Sequence, residues 1–141
     1  MVAIGCEDGE IHVVNLLYDE ELVHFTHKGN EGKIKSLSFS SDLTLGVSLL
    51  ASISESPSDG QNIAFWDLNQ KQFSTLLSAP HSGKQVSCLK FLSGEPVLIS
   101  SSNDGNSIKM WLFEKGLLVP RLLRQRSGHV EPPNRIRFYG G

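Results

Sequence analysis

One short pattern occurs three times in this chain and limits its fold more than any composition figure does. Asp8-Gly9-Glu10-Ile11-His12-Val13-Val14-Asn15-Leu16, Asp59-Gly60-Gln61-Asn62-Ile63-Ala64-Phe65-Trp66-Asp67-Leu68 and Asp104-Gly105-Asn106-Ser107-Ile108-Lys109-Met110-Trp111-Leu112 each set an Asp-Gly pair before a largely apolar run. Such pairs tolerate the positive φ of a tight turn, so each copy predicts the second arm of a β-hairpin. With Ile11, Ile63 and Ile108 superposed, the spacings are 52 and 45 residues; Trp66 falls on Trp111, and Val14 takes the tryptophan place in the first copy. A period of that size predicts blades, arrays or solenoids rather than one continuous sheet.

Each later copy also has an earlier alternating strand. Lys33-Ile-Lys-Ser-Leu-Ser-Phe39 precedes the second hairpin, Gln85-Val-Ser-Cys-Leu-Lys-Phe91 precedes the third, and Arg135-Ile-Arg-Phe-Tyr139 is expected to open a fourth unit. His81 and Gly128-His129 stand before two of these strands, and Trp66-Asp67 closes one hairpin. A unit with Gly-His before its first strand and Trp-Asp closing its third resembles the WD repeat, with four strands per propeller blade. The expected fold is therefore all-β: about three four-stranded antiparallel blades, forming an open arc of a larger ring. The blades divide as a partial blade at residues 1–26, full blades at 32–77 and 81–123, and the start of the next at 127–141. No helix is expected.

With 39% apolar residues in 141, the chain can bury a core, but an open arc leaves sheet edges and apolar faces uncovered. The reading is therefore of a piece of a longer propeller, entered halfway through one repeat and left after the first strand of another. Residues 1–108 hold six Lys or Arg against thirteen Asp or Glu, and residues 109–141 hold seven against two, so a near-neutral total conceals a net −7 beside a net +5. Cys6 and Cys88 form no Cys-x-x-Cys pair, so neither a disulfide framework nor a zinc ribbon is expected, and a reducing compartment is the default. No apolar run is long enough to span a bilayer.

The WD-repeat resemblance implies a side-chain network inside the blade. It would be built from His81, Ser102, Asp104 and Trp111 in the third copy, and from Asp59 and Trp66, with His27 and Ser54, in the second. A Ser-His-Asp hydrolase is the competing reading. The structural one is preferred because buried polar groups can satisfy each other and Ser102 has no strand-to-helix elbow to expose it. The five histidines include no pair at the usual sequence spacing of zinc ligands, the Asp-Gly turns lack the remaining ligands of a calcium loop, and no Gly-rich phosphate loop is present. No catalytic, metal or cofactor site is expected. Arg121, Arg124, Arg126, Arg135 and Arg137 are the one feature that suggests a partner: guanidinium forks suit RNA phosphate or an acidic protein segment, against a solvated loop as the alternative.

Arg121-Leu-Leu-Arg-Gln-Arg-Ser-Gly-His129 with Pro132-Pro-Asn-Arg-Ile-Arg-Phe-Tyr-Gly140 resembles the WD repeat-containing protein 36 family, the U3 small nucleolar RNA-associated protein 21 group. The order of Val2-Ala-Ile-Gly, Gly9-Glu-Ile-His-Val-Val-Asn15, Ile34-Lys-Ser-Leu-Ser-Phe39 and Asn62-Ile-Ala-Phe-Trp-Asp-Leu68 agrees with that family; the extra residues 54–58 depart from it. The resemblance implies a nucleolar, non-enzymatic scaffold of the small-subunit processome acting in 18S ribosomal RNA maturation. Its partners would be other WD-repeat processome proteins, the U3 ribonucleoprotein and pre-ribosomal RNA, with no membrane and no small-molecule substrate. The alternative is a generic WD-repeat adaptor of a ubiquitin ligase, trafficking or chromatin complex.

Overall fold

The structure is a computed structural model that describes residues 1–26, 32–41, 46–55, 62–117 and 119–139. Among the described residues, eleven strands form three antiparallel sheets. The first contains β1 (Val2–Gly5), β2 (Ile11–Asn15) and β3 (Glu20–Phe25); the second, β4 (Ile34–Phe39), β5 (Leu49–Ser54), β6 (Ile63–Asp67) and β7 (Gln72–Leu77). The third contains β8 (Val86–Phe91), β9 (Val97–Ser102), β10 (Ser107–Leu112) and β11 (Arg121–Arg126). Within each sheet the strands lie in chain order, as in a meander whose hairpins fix the register.

The second sheet lies between the other two, which explains sequence runs that alternation alone does not. Every residue of β5 and β6 is buried, because one face packs on the first sheet and the other on the third. Trp66, Leu50 and Ala64 join Ile11, Val13 and Phe25 in one core cluster; Phe65, Ala51, Ile53 and Ile63 join Val86, Leu89, Leu98, Trp111 and Phe113 in the other. Each tryptophan thus faces the preceding sheet. Trp66 lies between Phe25 and Phe73, with ring centroids 4.9 and 5.6 Å away, and Phe113 meets Phe65 edge-on at 5.2 Å.

The same irregularity recurs in all three sheets. The pairing of the last two strands of each sheet shifts between Val13 and Val14, between Phe65 and Trp66, and between Met110 and Trp111. Each is a β-bulge, which redirects the outer strand's side chains relative to the inner part of the sheet. The first and second sheets meet closely at Gly5, where an added Cβ would fall 2.5 Å from the Cβ of Ile34. Between the second and third sheets, Ser36 and Ser38 of β4 accept the backbone N–H groups of Leu89 and Phe91 at 3.2 and 2.9 Å, and Ser41 accepts that of Gly94 at 3.0 Å.

Two expectations for the C-terminal region are corrected. The outer strand of the third sheet starts after Pro120 and runs through Arg126, beyond residue 123, the expected end of that blade. Proline has no N–H to give a ladder, so pairing begins beyond it. Residues 127–139 contain no strand, including the segment 135–139 expected to open a new blade. A strand exists only where its N–H and C=O groups find another backbone, and among the described residues this segment has none. It instead runs back over the third sheet, where the His129 carbonyl accepts from Asn106 at 2.8 Å and the Pro133 carbonyl from Ser87 Oγ at 2.8 Å.

Candidate functional site

The interior of the third sheet holds a chain of polar side chains. Trp111 Nε1–H donates to Ser100 Oγ at 2.9 Å, Ser100 Oγ lies 2.8 Å from His81 Nε2, and His81 Nδ1 lies 3.0 Å from Ser107 Oγ. Indole N–H can only donate, so the Ser100 hydroxyl is free to donate onward to His81 Nε2, leaving His81 Nδ1–H to donate to Ser107. That order requires a neutral imidazole. Burial, reinforced by the nearby Lys109 ammonium, pushes His81 down to about 4. The Lys109 ammonium donates to the Pro80 carbonyl at 2.7 Å and stands 5.8 Å from the Trp111 ring centre.

Of the residues expected in this network, the structure joins His81 and Trp111 and leaves Ser102 and Asp104 outside it. The bridging serine is Ser100, two positions earlier on the same face of β9. Ser102 ends that strand, where its hydroxyl accepts the Gly105 N–H of the turn at 3.3 Å. Asp104 is exposed in the turn, its carbonyl accepting from Lys84 Nζ at 3.1 Å, while Ser107 occupies the other side of the histidine. The positive φ of this turn falls on Asn106, at 42°. No Ser-His-Asp triad is assembled among these residues.

In the second sheet Trp66 Nε1–H donates to Ser52 at 2.8 Å, the counterpart of the Trp111–Ser100 bond. Asp59 and His27 lie outside the described residues; Ser54 ends β5 and is buried. Sequence reasoning does not single out Ser52, Ser100 or Ser107, although hairpin register places Ser52 opposite Ala64 and Ser100 opposite Lys109, each two residues from its tryptophan's partner.

The arginines divide into two groups. On β11 the register sets Arg126 opposite Ile108, Arg124 opposite Met110 and, beyond the bulge, Arg121 opposite Leu112. Opposed residues of antiparallel strands share a face, so the bulge brings Arg121 to the same side as Arg124 and Arg126 in spite of the odd spacing. All of β11 is exposed. Arg121 donates to Glu114 at 3.0 Å, whereas Arg124 and Arg126 form no ion pair with the described residues. Arg135 and Arg137 lie on the strandless segment.

An apolar cleft of about 370 Å³ opens between the second and third sheets, with Val47, Leu49, Phe113 and Leu117 in its wall and Asp67 and Glu114 beside them. On the face of the first sheet turned away from the second, Glu10, His12 and His24 are the one His/Cys/Asp/Glu cluster among the described residues able to hold a metal ion. Hydrogen bonding to Glu21 and the charges of Glu21, Glu10 and Asp8 hold the exposed His12 above its usual value.

Comparison with known proteins gives this geometry its family. Residues 1–114 match the model described as the WDR36/Utp21 first beta-propeller. The U3 small nucleolar RNA-associated protein 21 homolog of Schizosaccharomyces pombe is 35% identical over 140 residues, and WD repeat-containing protein 36 of Homo sapiens is 34% identical over 140; in each case the match covers 99% of this chain and 14% of the relative. Among solved structures, the WD40 repeats of RRP9 superpose with a TM-score of 0.65 at 22% identity, over 92% of this chain and 36% of that one. Three meander sheets packed face to face are therefore blades of a partial propeller, and the chain belongs to the WDR36/Utp21 family, matching its first β-propeller.

Proposed function

We propose that this chain is a non-enzymatic scaffold segment of the nucleolar small-subunit processome, acting in 18S ribosomal RNA maturation. The observation that carries the reading is 34–35% identity across 99% of the chain to relatives of which one is named for association with U3 small nucleolar RNA. The chain spans about one seventh of those relatives, so their partners are assigned here as part of the proposal. The chemistry of the blades agrees with a scaffold: the His81 network is closed on itself inside a sheet, and the binding surface is left to edges and loops. Partners would be other WD-repeat processome proteins and the U3 ribonucleoprotein. Arg121, Arg124 and Arg126, with Arg135 and Arg137 beyond them, would contact pre-ribosomal RNA through phosphate.

Affinity capture of the tagged chain from nuclear extract, scored for U3 RNA and processome subunits, tests the assignment. Recovery of ubiquitin-ligase, coat or chromatin subunits without U3 RNA would refute it in favour of a generic adaptor. The RNA contact has its own test: with Arg124→Glu and Arg126→Glu together, affinity for pre-ribosomal RNA falls and so does its salt dependence. An unchanged affinity and salt slope would remove RNA from the proposal.

A further inference from the structure

The open face of the first sheet carries a constellation that the scaffold reading does not use. His12 on β2 and His24 on β3 are cross-strand partners, with imidazole rings stacked 4.3 Å apart and 8° from parallel. Glu10, just before β2, turns its carboxylate to both: Oε2 lies 3.1 Å from His24 Nε2 and 3.7 Å from His12 Nε2. The ligand atoms of the three residues all lie within 4.8 Å of one another. On the far side of the His12 ring, Nδ1 donates to Glu21.

Glu21 is there because of the bulge between Val13 and Val14. Without that extra residue Leu22 would oppose Val14, and Glu21 would turn to the core face; with it, Glu21 opposes Val14 on the side of His12. A proton fixed on Nδ1 leaves Nε2 unprotonated and able to ligate, with the Glu10 carboxylate 3.7 Å from it; a turn of the stacked imidazoles about their side-chain bonds would bring both Nε2 atoms onto one ion. This is the carboxylate–histidine arrangement that orients metal ligands and raises their basicity.

We propose that Glu10, His12 and His24 form a divalent transition-metal site, with zinc as the ion their chemistry suits, and that Glu21 orients His12 within it. Zinc–ligand bonds of about 2.0–2.1 Å in a tetrahedron place neighbouring ligand atoms about 3.3 Å apart, and the distances to Glu10 of 3.1 and 3.7 Å bracket that edge. Two imidazoles and one carboxylate match the N/O donor set of zinc; oxygen-preferring magnesium or calcium is disfavoured. The fourth position faces outward from the half-exposed cluster, open to water or to a donor from another chain. The proposal is independent of the ribosomal assignment.

The test uses the whole chain with Zn2+ alone, followed by calorimetry, and with Co2+ as a spectroscopic substitute. The expected result is one ion per chain with a dissociation constant on the order of a micromolar or tighter, and a Co2+ absorption of the tetrahedral type. His12→Gln, His24→Gln and Glu10→Gln each weaken binding more than about tenfold, Glu21→Gln weakens it by about tenfold, and His129→Gln leaves it unchanged. Trp66 fluorescence, set by contact with Phe25 of the first sheet, reports whether each variant keeps its fold. The unaltered chain supplies a second measurement: Zn2+ should shield His12 and His24, but not His129, from acylation by diethylpyrocarbonate. No binding, binding unchanged in the His12 and His24 variants, or no shielding of the two histidines would overturn the site.

Discussion

Acid should loosen the third blade through His81. The imidazole is 3% exposed and enclosed by Ser100 and Ser107, and its pKa is pushed down to about 4 from the ordinary value of 6.5, first by burial and then by Lys109. In the unfolded chain the ring takes up a proton near pH 6.5; in the folded chain it resists until near 4. The unfolded state therefore binds more protons between these values. The stabilisation is complete above pH 6.5 and is lost as pH falls through that window. Linkage gives a loss of about 1 kcal/mol by about pH 5.5 and about 2 to 3 kcal/mol by about pH 4.5 from this one group. Urea unfolding of dilute chain, followed by fluorescence of the buried Trp66 and Trp111, measures it. Carboxylates also titrate in this range, so the control is His81→Gln, which is less stable at neutral pH and has no imidazole to charge. The stability gap between wild type and variant should narrow by about 2 to 3 kcal/mol on going to about pH 4.5. A gap that stays constant across the range would refute the neutral buried imidazole and, with it, the hydrogen-bond order assigned to Trp111, Ser100 and Ser107.

Three substitutions, with Gly94→Ala as a control for one of them, test the packing. Ser52→Ala takes the acceptor from the Trp66 indole N–H and should cost about 1–3 kcal/mol in urea unfolding; a cost near zero would mean the bond contributes nothing. Ser38→Ala leaves the buried Phe91 N–H without its hydroxyl acceptor and should cost a similar ~1–3 kcal/mol, with faster hydrogen exchange at Phe91; unchanged exchange would refute the junction between the second and third sheets. Gly5→Ala drives a methyl against the Ile34 side chain and should destabilise by about 1–3 kcal/mol, whereas Gly94→Ala, with nothing within 4 Å, suffers only the strain of its φ of 74°. Thermal melts in which Gly5→Ala is as stable as wild type would argue against the close approach of the first two sheets.

Much of the fold is legible in the sequence because turn chemistry and period are local properties. Asp-Gly pairs and the superposed Ile11, Ile63 and Ile108 locate the hairpins, and Trp66 and Trp111 occupy equivalent places facing the preceding sheet. What stays hidden depends on partners distant in sequence. Arg135–Tyr139 alternates like a strand, but alternation does not supply the neighbouring backbone that a strand needs, and the described chain provides none. Ser100 and Ser102 lie on one face of β9, and only the register against β10 tells which reaches the indole. The histidines at 12 and 24 are hidden for a similar reason. Spacing rules for zinc ligands describe one helix or a tight loop, whereas these two meet as partners across adjacent strands, aided by a bulge that no residue type announces.

The serines of β4 set how the second and third sheets can move. Ser36 and Ser38, two residues apart, engage N–H groups two residues apart on β8. Because successive N–H groups of a strand point to opposite edges, sliding one inner strand past the other by a single residue would set both hydroxyls beside residues whose N–H groups point away, and the bonds could be regained only at the next even step. The junction therefore works like a pawl on a toothed wheel: it yields to small changes of wedge angle and blocks translation, so inserting or deleting one residue within β4 should unseat a whole blade.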